Sequence, residues 1–102
     1  MKRRVRARPL AEVDVENAAS WYEGERQGLG EEFVADLDDI TVRIGENAAQ
    51  FPIVSGPVRR ALLKRFPYGV FFIEDGDVAV ILAVLHLHRG PDELLRRSQT
   101  SE

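Results

Sequence analysis

The chain has 102 residues, 44% hydrophobic and 30% charged, with a net charge of −3, a balance that describes one globular domain with one core and excludes a disordered chain. Without cysteine it has neither a disulfide framework nor a thiolate zinc site. Its longest apolar run, Val78–Leu85, falls far short of the roughly 20 residues that cross a bilayer, so no membrane span is expected.

Residues 1–8 are basic, with Lys2, Arg3, Arg4, Arg6 and Arg8 and no acid. No apolar stretch follows, so a secretory signal is not expected and a cytoplasmic location is. Residues 3–7 alternate Arg4 and Arg6 with Val5 and Ala7 and read as a short strand. Pro9 suits the first position of a helix, where its missing N–H costs nothing. From there to about Arg26, Leu10, Val13, Ala18, Trp21 and Tyr22 recur near helical spacing, and Trp21 and Tyr22 are expected in the core. Gly28-Leu29-Gly30 ends that helix. A second helix is expected over 31–48, with Phe33, Leu37, Ile40 and Ile44 on one side and Glu31, Glu32, Asp36, Asp38, Asp39 and Glu46 on the other. The short connection implies an antiparallel helix hairpin. Residues 9–50 carry eleven acids against Arg26 and Arg43, which would repel phosphate from this part of the chain, or form a solvated helical face.

Phe51-Pro52 and Ser55-Gly56-Pro57 read as a loop, followed by strands at about 58–66, 69–74 and 77–88. Along the first, Arg60, Leu62 and Lys64 share one face and Arg59, Leu63 and Arg65 the other, so the sheet's second face is expected to be covered by residues 91–97 or by a partner. Asp75-Gly76 between apolar strands predicts a tight hairpin with positive φ. Val78–Leu85 does not alternate, which predicts a central strand buried on both faces. The resulting order is β-α-α-β-β-β, an α+β fold with the helix hairpin on one face of the sheet. A single domain is expected over 1–97, with a disordered tail at 98–102.

Chemistry concentrates at the borders of the last strands. Arg59, Arg60, Lys64, Arg65 and Arg89 supply cations, with Tyr68 and His86 beside them, and each has a plain reading as a solubilising charge or a strand-end hydrogen bond. His86 titrates near neutral pH and is a candidate base, or orders the strand end through Tyr68 or Glu23. His86 and His88 have no third ligand at metal spacing, so no metal and no other cofactor is expected.

The ordered series Trp21-Tyr22-Glu23, Gly28-Leu29-Gly30, the Phe33 helix, Phe51-Pro52, Arg59-Arg60, Phe66-Pro67-Tyr68 and His86-x-x-Arg89-x-Pro91 resembles the RelE/ParE superfamily of type II toxin–antitoxin toxins over about residues 3–92, nearer its ParE-like, plasmid stabilisation branch. The resemblance implies a mainly antiparallel sheet under an α-helical hairpin and a small cognate antitoxin, ParD-like, whose extended segment wraps the toxin. It implies growth arrest through DNA gyrase or, on the RelE branch, mRNA cleavage on the ribosome. A third reading, a non-toxic module that keeps only antitoxin binding, stays open. Leu94 and Leu95 stand where members of the family often carry a Trp.

Overall fold

The structure, a computed structural model, describes residues 2–88, 93, 94, 96 and 97. The chain runs β1 (Arg4–Ala7), α1 (Pro9–Glu25), α2 (Leu29–Glu46), a 3-10 turn (Ala48–Gln50), β2 (Ile53–Ser55), β3 (Val58–Leu62), β4 (Tyr68–Asp75) and β5 (Val78–His86). The strands form one sheet in the order β1-β5-β4-β3-β2. Only the β1–β5 pair is parallel, because the helix hairpin carries the chain back over the sheet between them; the other pairs are antiparallel. The expected α+β architecture is therefore present, with β5 an interior strand between β1 and β4.

Two departures from the expected boundaries have local causes. The stretch read as a loop contains β2, which pairs with β3 through a two-residue connection, Gly56-Pro57. Gly56 has φ 54° and Pro57 needs no donor there, a turn chemistry that matches strand twist, while three residues are too few to show alternation. The strand expected to reach residue 66 stops at Leu62. Beyond it, the buried Asp36 carboxylate of α2 accepts the amides of Lys64, Arg65 and Phe66 at 3.3, 2.8 and 3.3 Å and pulls the chain out of the ladder.

The helices meet closely. A Cβ on Gly30 would stand 2.6 Å from the Ala19 carbonyl oxygen, so glycine permits the approach. Glu23 accepts from the amides of Gly28 at 2.9 Å and Gly30 at 3.0 Å, satisfying donors at the start of α2. Glu23 thus caps the start of α2. A larger correction concerns α1, where Ala11 and Ala18 are fully buried and Val15, Ala19 and Tyr22 partly so, while Trp21 is 61% exposed. The small residues face inward because they let α1 lie close to α2 and β5.

The main core packs Phe33, Leu37, Ile40 and Ile44 of α2 onto Val70, Phe72, Ile81 and Val84 of the sheet. The adjacent Phe71 and Phe72 serve opposite faces. A bulge pairs Phe72 with Ile81 and Phe71 with Ala83, leaving Leu82 as the extra residue of β5. On the second face Phe71, Ala83 and Leu85 form a smaller cluster against Val58 and Leu94. Of the two expected covers for this face, a residue of the segment 91–97 supplies part. The expected tail at 98–102 lies outside the described residues.

Candidate functional site

Tyr68 opens β4 and lies opposite His86, which closes β5. Their rings are 5.4 Å apart, and Tyr68 also meets Phe33 at 5.1 Å and Tyr22 at 6.0 Å. Burial, with the Tyr68 phenol beside it, pushes the Tyr22 phenol above its ordinary range. The His88 amide donates to His86 Nδ1 at 3.2 Å, and the two imidazoles stack. Tyr68 and His86 are therefore together, as their register predicts, on one wall of a cleft of about 820 Å³. The other walls are α1, through Asn17 and Trp21, and the helical residues Glu93, Arg96 and Arg97.

This end of the sheet has an unusual closure. β1 finishes opposite Ile81, so among the described residues β5 continues without a neighbouring strand on that side, and the bulge turns the Leu82 carbonyl and the Val84 amide toward the gap. Side chains fill it. Asp14 of α1 accepts the Val84 amide at 2.9 Å, and Arg97 donates to the Leu82 carbonyl at 3.2 Å. Arg97 also binds both oxygens of Asp14, at 2.7 and 2.8 Å, and Glu93 at 2.9 Å. The bond from Asp14 holds the guanidinium above its ordinary value, and the bond from Arg97 draws the Glu93 carboxyl below its own. An ion pair thus stands where a strand's backbone would. Sequence reasoning missed all three residues, since Asp14 reads as one more helix acid and meets Arg97 across 83 positions.

The other expected residues do not converge on Tyr68 and His86. Arg59 sits near the far end of β4, bonded to Glu74 at 2.9 Å and to the Phe51 carbonyl at 2.6 Å. From Tyr68 to Glu74 is about 20 Å of strand. Arg60 lies on the second face, its stem against Gly69, where a Cβ would meet Arg60 Cγ at 3.2 Å. Arg65 donates to Glu32 at 2.7 Å and lies over the Phe66 ring, and that hydrogen bond lowers the Glu32 carboxyl's pKa. Lys64 is exposed on the turn that Asp36 holds. Arg89 lies outside the described residues. The expected cationic surface is thus divided among two faces and two ends, with Arg59 and Arg65 committed to internal ion pairs.

A second surface lies at β1. It is an edge strand, and its outward side carries Val5 and Ala7 beside an apolar hollow of about 280 Å³ among Ala11, Val15, Leu37, Thr41 and Ile81. The Arg3 amide on that side is taken by the Gly45 carbonyl at 2.7 Å.

No protein-family model and no curated protein matches this chain. Among solved structures, it is similar to a chain of the "Chromosomal ParDE TA system from P. aeruginosa", with a TM-score of 0.76 and 19% identity, over 84% of this chain and 97% of that one. At that identity the likeness establishes a shared fold.

Proposed function

We propose that the chain is the toxin of a type II toxin–antitoxin pair, ParE-like, which arrests growth by acting on DNA gyrase in the cytoplasm and is neutralised by a ParD-like antitoxin. The observation that carries this reading is the fold, shared over 97% of a chain from a ParDE system and joined to the motif series from Trp21 to Pro91. The open edge of β1 supports it: an extended antitoxin segment adding to that edge gains backbone hydrogen bonds, places one apolar side chain in the hollow beside Val5, and sets acids against Arg4, Arg6 and Arg8.

Cleavage of mRNA is the weaker reading. Such chemistry needs cations within hydrogen-bond reach of one phosphate together with a base. The Arg59 guanidinium is held at Glu74, six residues along β4 from Tyr68, the residue opposite His86, and Arg65 is spent on Glu32.

The test is induction without antitoxin in a bacterium, with RNA 5′ ends and plasmid supercoiling measured minutes later. Growth arrest with intact messages and altered supercoiling is the expected result. New cuts inside translated codons would replace it with the nuclease reading, and unimpaired growth with tight antitoxin binding would leave only a binding module.

A further inference from the structure

No further inference is drawn: the strongest candidate, the exposed stripe of Leu10, Val13 and Trp21 on the outward face of α1, carries nothing because nothing in the structure shows what covers it.

Discussion

Replacing Asp36 by alanine tests how α2 holds the turn between β3 and β4. The carboxylate is 5% exposed and accepts three backbone amides, of which only that of Arg65, at 2.8 Å, is short. A hydrogen bond to a charged acceptor is worth about 1.5–3 kcal/mol net, and the two 3.3 Å bonds from Lys64 and Phe66 fall at or below the weak end. Water can reach the exposed Lys64 and Arg65 once the carboxylate is gone, but the buried Phe66 is left with an orphan amide. Together these give a loss of about 3 kcal/mol, or roughly 15 °C in Tm for a domain of this size. Asp36→Asn keeps one acceptor oxygen and is expected to lose about half as much, around 1.5 kcal/mol. Urea unfolding with an unchanged m-value measures both. A loss under about 1 kcal/mol for the alanine variant would mean that the turn is held by its own backbone bonds, Leu63 to Tyr68 at 3.0 Å and Leu87 to Pro67 at 3.0 Å, and that Asp36 is incidental.

Three further outcomes follow from the same packing. Gly30→Ala drives a methyl into the Ala19 carbonyl oxygen, a backbone atom 2.6 Å away, and is expected to cost about 2–3 kcal/mol with the helix hairpin splayed, seen as faster amide exchange at the start of α2. Arg97→Ala removes one half of a pair whose side chains are 15% and 11% exposed; the expected loss is about 2 kcal/mol, below the full cost of breaking a buried pair, with the Val84 amide exchanging faster while Val70 is unchanged. The Tyr22 phenol has its folded pKa raised above 10, so its contribution to stability is present below that pH and is lost as pH rises through the folded value. Absorbance titration is expected to show one tyrosine ionising late, and Tyr22→Phe to flatten the decline in stability above pH 10. An unchanged decline would refute the assignment.

What the sequence by itself determined is what depends on neighbours along the chain. The stripe from Phe33 to Ile44 specified α2, the unbroken apolar run Val78–Leu85 specified a central strand, and Asp75-Gly76 specified its hairpin, with Gly76 at φ 61°. These are periodicity and turn chemistry, written in a few consecutive residues. The opposition of Tyr68 and His86 needed more than that hairpin: its register alone would set Tyr68 against Leu85, and the bulge at Leu82 moves it onto His86. α1 was not decided this way, because two stripes offset by one or two residues coexist on it: Leu10, Val13, Asn17 and Trp21, and Ala11, Val15, Ala18 and Tyr22. Hydrophobicity favours the first, but close approach to α2 and β5 favours the second, and only the assembled layers choose. The same holds for the polar groups. Asp36 meets its amides 28–30 positions away and Asp14 meets Arg97 across 83, and nothing local marks either acid among the seventeen in the chain. A bulge at Leu82 and the early end of β1 leave backbone groups that need partners, and tertiary structure decides which charges supply them.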